Sequence, residues 1–228
     1  MSISFTWLGH SAFALDIEGH QVLIDPFLTG NPLAAASADE LNPEFILLSH
    51  AHADHVGDTI DIAQRTGATV VCNFEMGNWF SGKGLQNVAQ VNPGGTFDGG
   101  YFTAKWTIAH HSSSFADGTY GGQPNGFIIN GGGKRMYFAG DTALFMDMQL
   151  IGERGIDVAF LPIGDVFTMG PDDSIKAISF IRPRIVVPMH YNTWPPIVQD
   201  ASHWADRVNR ETGATPIVMD PGGTYTVD

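Results

Sequence analysis

The sequence predicts an α/β fold in which two β-sheets pack face to face with helices on their outer sides. Three observations carry that expectation. Short apolar runs of strand length alternate with stretches of helical period. A β-rich opening followed by mixed β/α segments recurs in kind after about residue 96, which suggests two similar layers. Polar, metal-binding residue types keep appearing where a strand-like run ends, so one edge of the sandwich would carry the chemistry.

Taken in order, 2–8 alternates (Ile3, Phe5 and Trp7 against Ser4 and Thr6) and reads as a half-buried strand. Residues 12–17, the Glu18-Gly19 turn and 21–25 read as a hairpin. Residues 28–43, rich in Ala, Asn, Gly and Pro, form a loop with one short helical turn. The run Phe45–Leu48 is a buried strand, 58–65 a helix stopped by Gly67, and 69–72 a strand. Residues 74–80 read as a short helix. Strands follow at 86–91, 96–97 and 101–108, divided by Pro93-Gly94-Gly95 and Gly99-Gly100. Residues 127–130 and 135–139 flank a Gly131-Gly132-Gly133 turn as a hairpin, after which a helix begins at Asp141-Thr142 and runs through Met148. Strands at 158–162 and 185–187, helices at 172–181 and 201–210, and short strands at 215–219 and 224–227 complete the chain. No repeat or linker divides it, so residues 1–228 read as one domain.

Composition bounds the function. With 228 residues, 43% hydrophobic and 15% charged, the chain has material for a large core. Eleven Lys and Arg against 24 Asp and Glu leave a net charge of −13, which argues against a nucleic-acid partner. Cys72 is the single cysteine and lies in the apolar run T-V-V-C; it reads as core, and a lone cysteine fits a reducing cytoplasm. The first residues show no basic segment followed by a long apolar one, so neither a signal peptide nor a membrane span is expected. The low charge fraction favours self-association.

The stretch F-I-L-L-S-H-A-H-A-D-H-V-G over 45–57 is the chemical centre of the chain. An apolar run ends in His50, His52, Asp54 and His55. Alternation points His50 and His52 the same way, whereas Asp54 and His55 sit at the entry of the next helix. Ligand-type side chains delivered in two pairs suit two metal ions better than one.

His50-Ala51-His52-Ala53-Asp54-His55 resembles the H-x-H-x-D-H signature of the metallo-β-lactamase superfamily. Asp25 in L-I-D-P, His111, Asp141 in A-G-D-T and His190 in P-M-H-Y match the later motifs of that family in order. With G-H-S near the N-terminus and P-I-G-D-V-F-T-M-G-P-D-D, the chain looks like an uncharacterised group of metal-dependent hydrolases similar to the sugar-phosphate lactonase branch. The resemblance implies a four-layer αββα sandwich. It implies that His50, His52 and His111 hold one metal, that Asp54, His55 and His190 hold a second, and that Asp141 bridges them. Asp54 and Asp141 would be the catalytic carboxylates, Asp54 also taking a proton. Asp25 would orient a ligand histidine through a hydrogen bond. Imidazole and carboxylate donors without thiolate suit Zn²⁺ first and also Mn²⁺ or Fe²⁺. A metal-bridged hydroxide would then cleave a small-molecule ester, lactone or phosphoester.

Spacing alone does not choose between His110 and His111; the family pattern, with its ligand directly before Ser-Ser, favours His111. His10 lines the pocket or caps a turn, and is not counted among the ligands. The loops carrying Asp165, Thr168 and Asn192 follow strand ends and are candidate pocket segments. Phe167 and Trp194 read equally as an apolar pocket wall or as core, and Gln123, Asn125 and Gly126 are within reach of the same pocket. His20 and His203 read as surface histidines. Two other activities share the ligands. A tRNA 3′-processing nuclease needs a basic surface that −13 does not supply. A diiron redox protein of this fold carries glutamate at the position of Ala53 and an attached flavin domain. A scaffold without chemistry is disfavoured because all seven ligand positions are filled.

Overall fold

The computed structural model describes residues 2–228. Ile3–Gly9 (β1), Ala12–Ile17 (β2) and His20–Ile24 (β3) form an antiparallel meander, and Thr224–Val227 (β14) returns from the far end of the chain to flank β1. Phe45–Leu47 (β4), Thr69–Cys72 (β5) and Val88–Gln90 (β6) extend this sheet in parallel. The second sheet repeats the plan. Thr96–Asp98 (β7), Phe102–Ile108 (β8), Asn125–Gly131 (β9) and Lys134–Phe138 (β10) are antiparallel neighbours. Val158–Pro162 (β11), Ile185–Met189 (β12) and Thr215–Pro216 (β13) are added in parallel. Each seven-stranded sheet therefore runs from three antiparallel pairings to three parallel ones, and the second begins at residue 96, where the sequence pattern restarts.

Strand alternation sorts the core into layers. In β4 and β5, Leu47 and Val71 face the other sheet, whereas Ile46, Val70 and Cys72 face outward. Between the sheets, Phe5 and Phe13 meet Phe160 at ring-centroid distances of 4.9 and 4.7 Å. The outward residues are covered by Thr59–Thr66 (α2) and Phe74–Gly82 (α3) through Ile62, Ala63, Met76 and Phe80. On the second sheet, Met148–Gly152 (α4), Pro171–Ile181 (α5) and Ala201–Glu211 (α6) bury Ile151, Ile178, Ile181, Trp204 and Val208. The result is helix, sheet, sheet, helix. Cys72 is a buried free thiol, as its apolar surroundings suggested. No helix among the described residues is long and apolar enough to cross a membrane.

Several boundaries differ from the sequence reading. No helix starts at Asp141: residues 142–145 carry no regular structure, and the Ala143 N–H donates to His110 O instead of to a helical carbonyl. The helix α4 begins only at Met148. Thr215–Pro216 is only a two-residue strand at the sheet edge, although the Ile217 N–H still donates to Val186 O. The segment expected as a strand from 86 pairs only over Val88–Gln90. The helix expected from 58 is preceded by a separate turn, Ala53–Val56 (α1), cut off from α2 by Gly57. The helical turn expected in the 28–43 loop is a 3-10 turn at Ala38–Glu40.

Candidate metal centre

The parallel strands and their partners end along one edge, and the backbone there is bent sharply. Among the described residues, six of the eight non-glycine positions with positive φ lie at strand ends on this edge: His10, Asp25, Asp165, Val166, His190 and Asn192. Such conformations cost free energy and persist where the surroundings hold them. At His10, Asp25 and His190 they accompany buried side chains that meet at the site.

Asp25 anchors the first half of the site. Its buried carboxylate accepts the Ser49 N–H (2.8 Å) and Ser49 hydroxyl (2.5 Å), and lies 2.7 Å from His55 Nδ1. Ser49 Oγ also sits 2.9 Å from His50 Nδ1. With their Nδ1 atoms engaged, His50 and His55 present Nε2 to the interior. The α1 turn sets His55 and Asp54 one step further along, and Gly57 ends it with φ 42° and ψ −126°, a conformation open to glycine. From the second sheet, Gly140 (φ 64°) delivers Asp141. A β-carbon on Gly140 would stand 2.5 Å from Asn125 O, so the close approach also requires glycine.

These elements bring together all seven residues proposed as ligands. Asp141 Oδ2 lies 3.0 Å from His190 Nε2, 3.3 Å from His55 Nε2, 3.6 Å from His111 Nε2 and 4.0 Å from His50 Nε2. Around it the donors fall into two groups, His50 with His52 and His111 and Asp54 with His55, His190 and His10, and a third group, Asp25 with His50 and His55, overlaps both. The structure brings His111 to Asp141; His110 is exposed, its ring 5.0 Å from that of Phe145. His10 is fully buried, with Nε2 3.2 Å from Asp54 Oδ2 and Nδ1 2.7 Å from Thr193 Oγ1. Nothing in the sequence marked Thr193 for that contact. Trp194 and Phe27 flank the His10 ring at 4.9 and 5.8 Å.

The remaining candidates are engaged locally. Asp165 accepts the Val166 N–H, Thr168 donates to Met169 O, and Asn192 Oδ1 accepts the Gln199 N–H. Asn125 is buried and donates to Ser49 O and Gln123 O, so it supports the site from behind. Phe167 is exposed and Trp194 half-buried, so neither is core. His20 pairs with Glu44 on the surface, and His203 is exposed on α6.

Charge follows burial. Desolvation holds His50 well below the usual imidazole range and lowers His52 and His111. Burial and the neighbouring His190 bring His10 down to about 4. Burial would lower His55 too, but Asp141 and Asp25 outweigh it and raise it well above the ordinary value. Burial would raise Asp141, yet His190 and His55 hold it well below the carboxylate range. The two opposed shifts describe one tightly coupled pair, an anionic carboxylate stabilised by the imidazoles around it. Asp25 is raised by burial. Neutral imidazoles and ionised carboxylates are the protonation states that bind divalent metals, which the shifts of His50, His52, His111 and Asp141 favour, whereas His55 would have to give up a proton to bind one. His55 Nε2, which faces Asp141 Oδ2 within the cluster, is buried without a hydrogen-bond partner, the mark of an atom that needs a further partner. Cys72 lies in the other core and contributes nothing, so the donor set is nitrogen and oxygen alone.

These shifts have a consequence for the metal-free protein. A histidine whose folded pKa is depressed stabilises the fold fully above the unfolded value, and less as pH falls. For His10 the window runs from about 6.5 down to about 4, worth about 3 kcal/mol. His50, His52 and His111 shift the same way, and Asp25 opposes them. His55 contributes fully throughout that window, because its raised pKa affects stability only at higher pH. Urea unfolding in a chelator is therefore expected to show lower stability at pH 5 than at pH 7; equal midpoints would refute it.

A β-lactamase superfamily domain matches residues 4–190. The chain is 50% identical over 228 residues, covering 99% of it and all of the relative, to a UPF0173 metal-dependent hydrolase of Thermus thermophilus. The chain belongs to that family. It is a metal-dependent hydrolase of the metallo-β-lactamase superfamily. Among solved structures it is similar to Igni18, a metallo hydrolase of Ignicoccus hospitalis, with TM-score 0.92, 37% identity and coverage of 100% and 99% of the two chains. YhfI of Bacillus subtilis, a metallo-β-lactamase fold protein at 11% identity, superposes with TM-score 0.78 over 99% of this chain and 100% of its own, a likeness of fold.

The buried Asp25 network yields a second expected result. Asp25→Ala removes the acceptor of two Ser49 donors and of His55 Nδ1. Metal affinity is expected to fall about 10- to 100-fold. Competition against a chromogenic chelator measures this, and an unchanged affinity would remove Asp25 from its orienting role.

Proposed function

We propose that this hydrolase works as a dinuclear enzyme that cleaves a small-molecule ester, lactone or phosphoester. The observation that carries the proposal is the position of Asp141 Oδ2, within 4.0 Å of Nε2 atoms from both donor groups. His50, His52 and His111 would hold one ion, Asp54, His55 and His190 the other, and Asp141 would be shared. When bound, the ions supply Lewis acidity and lower the pKa of water toward neutrality. Zn²⁺ fits this nitrogen and oxygen set best, with Mn²⁺ and Fe²⁺ as alternatives.

The chain's own residues then orient and move protons. Asp25 and Ser49 fix the rings of His55 and His50 before any substrate arrives. Asp54 is the ligand carboxylate open to solvent, held on one oxygen by His10. It would accept the proton released as water attacks, and pass it to the leaving oxygen. His190 and His55 favour the ionised form of Asp141. We expect a cytoplasmic enzyme with a small-molecule substrate and no nucleic-acid partner, since the net charge of −13 repels phosphate backbones.

The test is a panel of chromogenic esters, lactones and phosphoesters against protein loaded with Zn²⁺ or Mn²⁺, its occupancy checked by elemental analysis. Activity is expected to vanish on chelation and return on adding metal. A fully loaded protein that cleaves nothing in the panel would overturn the proposal.

A further inference from the structure

None of the eleven Lys and Arg residues lies in the segments that surround the metal centre, which are 9–11, 25–37, 48–58, 109–124, 139–147, 163–170 and 190–200. Lys83 does approach one of them, at Asp117, but it is paired there at 4.0 Å and lies over the Trp79 ring. The rim is instead apolar on one side. Met146 is 65% exposed, Val166 66% and Phe167 53%. Their two loops are joined to each other and to the centre. The Met169 N–H donates to Thr142 O, directly after Asp141, and Phe145 packs on His110, directly before His111.

The fold maintains this rim at a cost. Val166 is β-branched yet holds φ 50°, next to Asp165 at φ 62°. The Asp165 carboxylate fixes the turn by accepting the Val166 N–H. A strained turn that thrusts two large apolar side chains into water serves neither stability nor solubility. Its place beside the centre points to a substrate.

We propose that the centre takes an uncharged carboxylic ester or lactone bearing an apolar group, which packs on Phe167, Val166 and Met146. The proposal rests on the hydrolase reading above and narrows its substrate class. Bound metal ions would serve the reacting bond, so a phosphate elsewhere on the substrate would need its own cation, and the rim segments carry no Lys or Arg. In the reaction, the oxygen of water bonds to the acyl carbon and the acyl C–O bond breaks. One water proton goes to the leaving alkoxide oxygen, and the other is released from the new carboxylic acid. The product is then an anion at a rim whose segments carry no Lys or Arg to retain it, which favours its departure.

The experiment has two arms on the metal-loaded protein. In the first, kcat/KM is measured for p-nitrophenyl acetate, butyrate and hexanoate, and for p-nitrophenyl phosphate and bis(p-nitrophenyl) phosphate. A rise of about twofold per methylene is expected, which is a partly realised share of full burial. The phosphoesters should fall about 100-fold or more below the hexanoate, and Phe167→Ser should lower the hexanoate-to-acetate ratio. In the second arm, tryptophan fluorescence follows binding of 2-butanone and 2-octanone, neutral carbonyls that cannot be hydrolysed. The longer ketone should bind about tenfold more tightly, and Phe167→Ser should remove that advantage.

Ketone discrimination without any hydrolysis would sustain the rim assignment and defeat the hydrolase reading. Hydrolysis with a flat chain-length series, or with phosphoesters preferred, would leave the hydrolase reading and overturn this one. A second copy of the chain could occupy the patch instead. Light scattering that shows Phe167→Ser converting an oligomer to a smaller species, with ketone binding unaltered, would also overturn it.

Discussion

Asp141→Asn is expected to lower kcat/KM by roughly a thousandfold, about 4 kcal/mol of transition-state stabilisation, while the chain remains folded. The amide keeps the volume of the carboxylate but removes its charge from among the Nε2 atoms of His50, His55, His111 and His190. It also points an N–H₂ donor at one side of the cluster, where the other donors need an acceptor. Loss of metal should accompany loss of rate, since Asp141 is the contact shared by both donor groups. Far-ultraviolet circular dichroism checks the fold, elemental analysis the occupancy, and the ester panel the rate. A variant that stays fully loaded and within tenfold of the parent rate would show that Asp141 does not join the two halves.

Gly57→Ala is expected to cost about 3 kcal/mol or more, a mechanism that combines backbone strain with overlap. Gly57 has φ 42°, and a β-carbon there would overlap Pro26 O and lie 2.5 Å from Phe27 Cα. Both partners are backbone and cannot rotate away. For a chain of this length that loss corresponds to a fall in Tm of about 6–12 °C. Gly67 provides the comparison: it also has positive φ, 76°, but a β-carbon meets nothing within 4 Å. Gly67→Ala should cost only about 1 kcal/mol. Equal melting temperatures for the two variants would mean that the Pro26–Phe27 contact does not constrain the α1 turn. Because that turn carries Asp54 and His55, metal occupancy should drop in Gly57→Ala and hold in Gly67→Ala.

Much of this architecture was legible before the structure. Alternation in Ile3–Gly9 and the apolar runs at Phe45 and Val158 are local properties, and the strands formed where those patterns lie. Helix ends marked by Gly67 were equally local. The ligand set came from motifs read in order along the chain, and the structure gathers those residues at one edge. What failed was decided over long distances. Residues 141–147 have helical composition, but the Ala143 N–H goes to His110, more than 30 residues earlier, and no helix forms before Met148. His10 could not be assigned from G-H-S alone, because its partners Asp54 and Thr193 arrive 44 and 183 residues later. Thr168 and Asn192 were placed on the right loops, yet their side chains are spent within those loops.

Equilibrium dialysis against Zn²⁺ or Mn²⁺, followed by elemental analysis, tests the central proposal most directly. The expected ratio is two ions per chain, falling to about one when His52 and His111 are both replaced by alanine. A ratio of one at saturation, unchanged in that double variant, would contradict a two-metal centre.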